Sequence, residues 1–137
     1  MKKFVLLTMV VTIFLTISIV VYRRQTHQPK TLLQLYEHQL SKVSTVTIVD
    51  GSTGYKKTVI DQQVIEAFLE NIQYVKFIPD VNQEQRDGFR YAITLYEMED
   101  VTFKFSLTKV DGVYYHTEPD MFPIVDEFYN RVNIEED

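Results

Sequence analysis

The sequence predicts an α+β fold: an N-terminal transmembrane helix, then a small domain with a mostly antiparallel sheet of about five to six strands and helices on one face. Three observations support this prediction. Residues 4–22 form an uncharged apolar run, several later segments alternate apolar and polar residues between turns, and three segments repeat apolar residues at helical spacing. The chain has 137 residues, of which 45% are hydrophobic, and this suffices for one core.

The apolar run from Phe4 to Tyr22 contains no charged residue, Gly or Pro. As an α-helix it would be about 28 Å long, close to the hydrocarbon thickness of a bilayer. We therefore expect residues 1–24 to be an uncleaved signal-anchor that contacts the lipid bilayer through residues 4–22. The alternative is a cleaved signal peptide, whose apolar region usually has only about 7–15 residues and ends in small residues. Ala, a typical residue of such cleavage sites, first occurs in this chain at Ala67, and this favours the uncleaved anchor.

Basic residues flank both ends of this run, with Lys2 and Lys3 before it and Arg23 and Arg24 after it. Because the charges are nearly balanced, the positive-inside rule gives only a small preference. A short tail ahead of the span is typical of signal-anchors that leave the N-terminus in the cytoplasm. We therefore expect a single-pass protein of the cell membrane whose C-terminal domain lies outside.

Three threonines, Thr8, Thr12 and Thr16, recur every four residues and so form one stripe along the predicted helix. Hydroxyl groups at this spacing can join two helices, which would give a homodimer through the stripe. Alternatively, each hydroxyl donates to a carbonyl of its own helix. The sequence leaves both interpretations open.

A polar linker is predicted over residues 25–30, which contain a proline and have no apolar period. It leads into an extracytoplasmic α+β domain over residues 31–137. Thr31 suits the N-cap of a first helix, in which apolar residues return at helical spacing as far as Val43.

A β-hairpin is expected next, because residues 43–50 are mostly β-branched, Gly51-Ser52-Thr53-Gly54 is a turn sequence, and residues 55–60 are predicted to form a second strand. Asp61 is a good N-cap for the amphipathic segment that follows, residues 62–73. The sequence therefore predicts strand, turn, strand and helix in this order.

The clearest alternation in the chain follows a predicted strand over residues 73–78 and a polar loop over residues 80–88. Eight apolar residues of two successive strands are expected to form the centre of the core: Phe89, Tyr91, Ile93, Leu95, Val101, Phe103, Phe105 and Leu107. A turn of three or five residues around Met98-Glu99-Asp100 would place them all on one face, whereas a two-residue turn would not.

Asp111-Gly112 is the strongest hairpin turn signature and introduces a last strand. A two-residue turn would set His116 opposite Leu107, and a longer one would place Val113 and Tyr115 on the core face; both remain open. Pro119 suits the first turn of a C-terminal helix. The apolar face of that helix is predicted to contain Met121, Ile124, Val125, Phe128 and Val132.

The charge of the chain limits its partners. After the four basic residues beside the apolar run are set aside, 10 basic and 19 acidic residues remain, a formal charge of −9. An acidic domain repels phosphate backbones, so nucleic acid is not an expected partner. The chain has no Cys, which excludes disulfides, thiolate metal sites and cysteine nucleophiles.

Catalytic motifs are missing from the sequence, which has no Gly-rich phosphate loop, no G-x-S-x-G and no H-E-x-x-H. Its three histidines fall in a linker, a helix and a strand: His27, His38 and His116. Residues 80–85 begin like a calcium loop, but Gln85 stands where the bend requires Gly. We therefore expect no catalytic, cofactor-binding or metal-ligating residue, and no enzyme.

Tyr96, Tyr114 and Tyr115 are the candidate recognition residues, because Tyr combines a large contact area with a polar tip. They could form a recognition surface on the uncovered face of the sheet. Otherwise they are core residues and cross-strand pairs. Tyr96 is the best candidate for exposure, since it opposes the apolar face of its strand.

Three elements together cover most of the chain: the apolar run of residues 4–22, the hairpin VTIVDGSTGYKKTVI and the meander FRYAITLYEMEDVTFKFSLTKVDGVYY. In this layout the chain resembles a class of small Gram-positive bacterial proteins of uncharacterised function, each with an N-terminal anchor and a Cys-free α+β domain. The resemblance implies location and fold, and it transfers no functional residue.

Three functions are compatible with the sequence. We expect an extracytoplasmic binding or interaction module with a protein partner, which could regulate a neighbouring membrane or cell-wall protein. The second is an inhibitor or immunity-type protein that blocks a toxic or hydrolytic partner through its acidic surface. The third is a small enzyme, which would require a deep pocket with His116 beside carboxylates.

Overall fold

A computed structural model describes residues 1–26 and 28–132 of the chain. In chain order its helices and strands are α1 (Lys2–Thr26), β1 (Lys30–Thr31), α2 (Leu32–Leu35), β2 (Thr45–Asp50), β3 (Lys56–Val59), α3 (Gln62–Ile72), β4 (Lys76–Pro79), β5 (Tyr91–Glu97), β6 (Asp100–Ser106), β7 (Lys109–Val110), β8 (Val113–Glu118) and α4 (Phe122–Arg131). A 3₁₀ turn over Leu40–Lys42 precedes β2. His27 of the predicted linker and residues 133–137 of the predicted domain lie outside the described residues.

Within the described residues the strands form one antiparallel sheet of eight strands, in the order β1-β4-β8-β7-β6-β5-β2-β3. The α+β class and the antiparallel sheet are confirmed, but the prediction of five to six strands is wrong. β1 and β7 have two residues each, too few for any alternation to be seen in the sequence. Lys30, at the end of the predicted linker, already belongs to β1.

Helix α1 is long and apolar enough to span a membrane. Its segment Phe4–Arg23 has 20 residues with a mean hydropathy of 2.8, and none of it is buried. Signal sequences share these properties, so the anchor remains a prediction. The hydroxyls of Thr8, Thr12 and Thr16 donate to carbonyls four residues earlier at 3.1, 2.8 and 3.0 Å. Bonding within the helix is thus present, and the homodimer stays a prediction.

Thr31 caps α2 as predicted, since its hydroxyl accepts a hydrogen bond from the Gln34 amide and the Gln34 side chain accepts one from the Thr31 amide. The predicted length of this helix is wrong, because α2 ends after one turn instead of continuing to Val43. Tyr36 leaves the helix in an extended conformation, and its ring packs edge-on against Phe103. A tertiary contact therefore overrides the helical spacing.

Helices α3 and α4 cover one face of the sheet, which we call the inner face. Asp61 caps α3 as predicted, and the stacked rings of Phe68 and Phe128 join the two helices with centroids 4.1 Å apart. The prediction that Pro119 begins the C-terminal helix is wrong. Pro123 occupies the first turn of α4 instead, and it satisfies the same preference four residues later.

The register of the β5–β6 hairpin is the predicted one, because Leu95 pairs with Phe103. The predicted turn of three or five residues is wrong, since Glu97 pairs with Asp100 and leaves two residues between them. The register shifts between Leu95 and Tyr96, as in a β-bulge. This shift gives the two strands the same pairing before Leu95 that a longer turn would have given.

This bulge also changes the predicted core. Five of the eight expected residues are buried and Phe103 packs against them: Tyr91, Ile93, Leu95, Phe105 and Leu107. Phe89 and Val101 are 44% and 58% exposed, so their placement in the core is wrong. Phe89 precedes β5, and Val101 pairs with Tyr96 beyond the bulge.

The structure shows which residues of β8 face the core, a point that the sequence left open. Asp111 and Gly112 form a two-residue turn with φ of 47° and 81°, which is the left-handed region that a tight hairpin requires. Tyr115 is nevertheless buried on the inner face, and His116 is exposed. Beyond β7, strand β8 pairs with β4, where His116 lies opposite Ile78.

Candidate functional site

The face of the sheet opposite α3 and α4, which we call the outer face, has mostly short side chains at its centre. One cross-strand row contains Thr58, Thr47, Thr94 and Lys104. The next row contains Lys56, Val49, Ala92 and Ser106. Because the side chains between Lys56 and Lys104 are mostly short, the centre of the outer face is a shallow depression.

The loop of residues 80–88 is fastened to the outer face by Tyr114. The Tyr114 amide donates to the Gln83 side chain at 2.9 Å, and the Gln83 amide group donates back to the Tyr114 carbonyl at 2.9 Å. The Tyr114 hydroxyl accepts from the Arg86 amide at 2.8 Å and donates to the Arg86 carbonyl at 3.1 Å. These four bonds fix the loop as one wall of a groove.

Two cations lie over the ring of Tyr114. The Arg86 guanidinium and the Lys109 ammonium are each 4.8 Å from the ring centroid. The backbone hydrogen bond from Arg86, helped by the nearby Lys109 ammonium, lowers the pKa of Tyr114. The ring thus brings two positive charges together at one end of the groove.

Asp80 holds the base of the same loop. Its two oxygens contact the Arg86 guanidinium and the Nδ1 atom of His116, both at 2.9 Å. The hydrogen bond with His116, followed by that with Arg86, lowers the pKa of Asp80. The His116 side chain is 55% exposed and contacts this carboxylate at the loop base.

The resulting outer groove has a volume of about 590 Å³, with Ala92, Thr94 and Ser106 in its lining. Its charged lining residues are three cations and one acid: Arg86, Lys104, Lys109 and Asp111. Arg86 is partly neutralised by Asp80, whereas Lys104 has no ion pair with any residue that the structure describes. The groove is therefore positive on a chain with a net charge of −5.

A second groove of about 790 Å³ lies between α3 and α4. Its floor includes Phe68 and Phe128, which stack on each other. The charged residues on its rim serve the helices themselves: Asp61 caps α3, and Arg131 contacts Glu127 at 3.4 Å. This groove is mainly a cleft between two packed helices.

The structure does not bring the three candidate tyrosines into one exposed surface. Tyr114 is 5% exposed and lies under the loop on the outer face. Tyr115 is 8% exposed and packs edge-on against Phe77 in the core. Tyr96 is half-buried near the end of β5, opposite Val101.

The cations of the outer groove were not singled out from the sequence. A signal for Lys104 was present, since it alternates with Phe103 and Phe105 and must therefore face away from the core. No local signal places Arg86 there, because its position depends on the contact between Gln83 and Tyr114, 31 residues apart.

Among residues 1–26 and 28–132, no group of three His, Asp or Glu side chains could hold a metal ion. Comparisons with protein-family models, with curated proteins and with solved structures found no match. The outer groove, defined by its geometry and charge, is therefore the candidate functional site.

Proposed function

We propose that this chain is a membrane-anchored interaction module whose outer groove binds an acidic segment of a neighbouring protein. Helix α1 supports the anchor, because its apolar segment of 20 residues matches the thickness of a bilayer. The single observation that carries the binding site is the sign of the groove, which gathers Lys104 and Lys109 on an acidic chain. Local charge opposite to the net charge favours one orientation of an incoming acidic partner.

The proposed role is binding rather than catalysis. The short side chains of Ala92 and Thr94 leave room for an extended segment, and Thr94 offers a hydroxyl group to it. An exposed ion pair contributes only about 0.2–1 kcal/mol. The attraction should therefore be weak for an isolated acidic peptide and should fall as the salt concentration rises.

The first test measures binding of the full chain, in a mild detergent, to an immobilised oligoglutamate peptide. Lys104→Glu should weaken this binding roughly three- to tenfold, because one attractive contact is replaced by a repulsive one. The matched control is Lys42→Glu, the same charge change at an exposed residue of the 3₁₀ turn. Equal losses in the two variants would show that net charge, not the groove, governs binding.

The same assay addresses the inhibitor or immunity-type function, which is the second candidate. The residues after the anchor carry a formal charge of −9, and this favours a basic partner. Binding to immobilised oligolysine, with none to oligoglutamate, would support the inhibitor and contradict the groove proposal. Affinity purification from solubilised membranes would then identify the partner.

The proposed location is the cell membrane, with the domain outside. Protease treatment of intact cells should remove a C-terminal tag, because the domain would be accessible from the exterior. A protected tag that becomes sensitive only after lysis would contradict the proposed orientation.

A further inference from the structure

We infer that the sheet edge formed by β1, which we call the β1 edge, docks on the bilayer surface. Two residues beside this edge, Leu33 in α2 and Tyr74 just before β4, would contact the lipid headgroup region. This inference rests on the proposed anchoring by α1. It concerns a surface distinct from the outer groove, and it commits to a phospholipid surface as the partner.

The length of the connection limits where this edge can lie. β1 begins at Lys30, four residues after the end of α1 at Thr26. Four residues span at most about 14 Å even when fully extended. If α1 crosses a bilayer, the β1 edge must therefore lie close to the membrane surface.

Two exposed residues with large apolar groups lie on neighbouring backbone segments beside this edge. The Leu33 amide donates to the carbonyl of Gln73, the residue before Tyr74, at 3.0 Å, so the two backbone segments are adjacent. Their neighbours Leu32 and Val75 are buried in the core, whereas Leu33 and Tyr74 are 43% and 68% exposed. Tyr is enriched at membrane interfaces, where its ring contacts apolar groups and its hydroxyl remains hydrated.

The charges around the edge are compatible with phospholipid headgroups. Lys30 is exposed in β1, and Lys76 pairs with Thr31 in the neighbouring strand. Lys76 also lies opposite Glu118 in β8, so its charge is partly balanced. Contact of Leu33 and Tyr74 with the lipid is therefore the main attraction, and Lys30 adds affinity for anionic headgroups.

A single tryptophan can test this arrangement, because the chain has none of its own. The full chain with Tyr74→Trp would be reconstituted into vesicles of phosphatidylcholine with a minor fraction of phosphatidylglycerol, and flotation would confirm insertion. Lipids brominated near the headgroup end of their tails should then quench its fluorescence by roughly twofold, since an interfacial side chain reaches the boundary of headgroups and tails.

The matched control is Tyr55→Trp, since Tyr55 is 52% exposed and precedes β3, the strand at the opposite edge of the sheet. Its fluorescence should not be quenched. Leu33→Trp provides a second test residue at the docking edge and should be quenched like Tyr74→Trp.

The outcomes separate this inference from the proposed anchoring. Equal quenching at both edges, or quenching at neither edge in vesicles that carry the protein, would overturn the docked β1 edge. Failure of the protein to float with the vesicles would contradict the anchor itself.

Discussion

Lys57 shows how the cost of burying a charged side chain can be offset by hydrogen bonds. Its exposed fraction is 9%, and its ammonium donates to the carbonyls of Tyr129 and Val132 at 3.0 and 3.3 Å. These carbonyls lie at the C-terminal end of α4, where the helix has no backbone donors for them and a positive charge is favoured. The Lys57 ammonium also lies 4.6 Å from the centroid of the Tyr129 ring.

Lys57→Met should therefore destabilise the domain by about 1–3 kcal/mol, because the two carbonyls lose a charged donor while the aliphatic length is kept. The measurement is thermal unfolding of the full chain in detergent, followed by near-ultraviolet circular dichroism. Lys56→Met is the matched control, since Lys56 is the exposed neighbour. A similar loss of stability in both variants would contradict a specific role for Lys57.

Gly51 shows a second constraint at the level of single atoms. A Cβ atom at this position would lie 1.8 Å from the Phe89 carbonyl oxygen, because the Gly51 amide donates to the Arg90 carbonyl at 2.7 Å. Gly54, in the same turn, has a φ of +78° but no atom within 4 Å of such a Cβ.

Gly51→Ala should consequently cost about 3 kcal/mol of stability, and Gly54→Ala only about 1 kcal/mol from its backbone conformation. Thermal unfolding of both variants would give the comparison. A larger loss for Gly54→Ala would contradict the close approach of the two segments.

At the scale of elements, the loop of residues 80–88 is irregular yet held at several points. Tyr114 binds its centre and Asp80 binds its base, through Arg86 and His116. The loop can therefore serve as a wall of the outer groove only while these contacts persist.

Asp80→Asn should release this loop and increase tryptic cleavage after Arg86 roughly tenfold, because a charged hydrogen bond is worth about 1.5–3 kcal/mol. Glu84→Gln is the control, as it removes one carboxylate from the same exposed loop. Equal cleavage of the two variants would show that the Asp80 contacts do not hold the loop.

The same contacts predict a dependence of stability on pH. The pKa of Asp80 in the folded protein lies below its ordinary value of 3.8, chiefly through His116 and then Arg86. Its contribution to stability is therefore complete above that ordinary value and is lost as the pH falls through the folded pKa. As the pH is lowered from about 5 to about 3, the unfolding temperature of Asp80→Asn should therefore fall less steeply than that of the unchanged chain.

The elements also show which predictions the sequence supports. Helix α3 was predicted correctly because its cap and its apolar spacing agree with its final position. The helix expected after Thr31 shortened to one turn because Tyr36 packs against Phe103, a contact that no local pattern encodes. The bulge beside Leu95 could not be predicted either, because a bulge with a short turn and a longer turn without a bulge give the same pairing of Leu95 with Phe103.

For the whole molecule, the order of the sheet explains why the candidate site was only partly predictable. Alternation identified the core face and hence the outward direction of Lys104. The outer groove, however, also needs the loop carrying Arg86 and the turn carrying Lys109, which are brought together by Tyr114. Long-range placement of this kind is not contained in any one segment.

The intact chain should behave as an integral membrane protein, because the segment Phe4–Arg23 is apolar and wholly unburied. Alkaline washing of membranes should leave it in the pellet, and detergent should extract it. Replacing Leu7 and Val11 by Arg should move it to the soluble fraction, because charges in the middle of a span are costly. Release of the unchanged chain by alkali would contradict the anchor.

The short β1 strand has a mechanical consequence. It joins β4 through two residue pairs, Lys30 with Phe77 and Thr31 with Lys76, and it is the strand that follows α1 in the chain. If α1 anchors the chain as proposed, a force pulling the domain away from the bilayer would load this joint first, ahead of the longer ladders of the sheet. Its rupture would lengthen the tether while the rest of the sheet stayed intact, so the edge strand can act as a yielding link under tension.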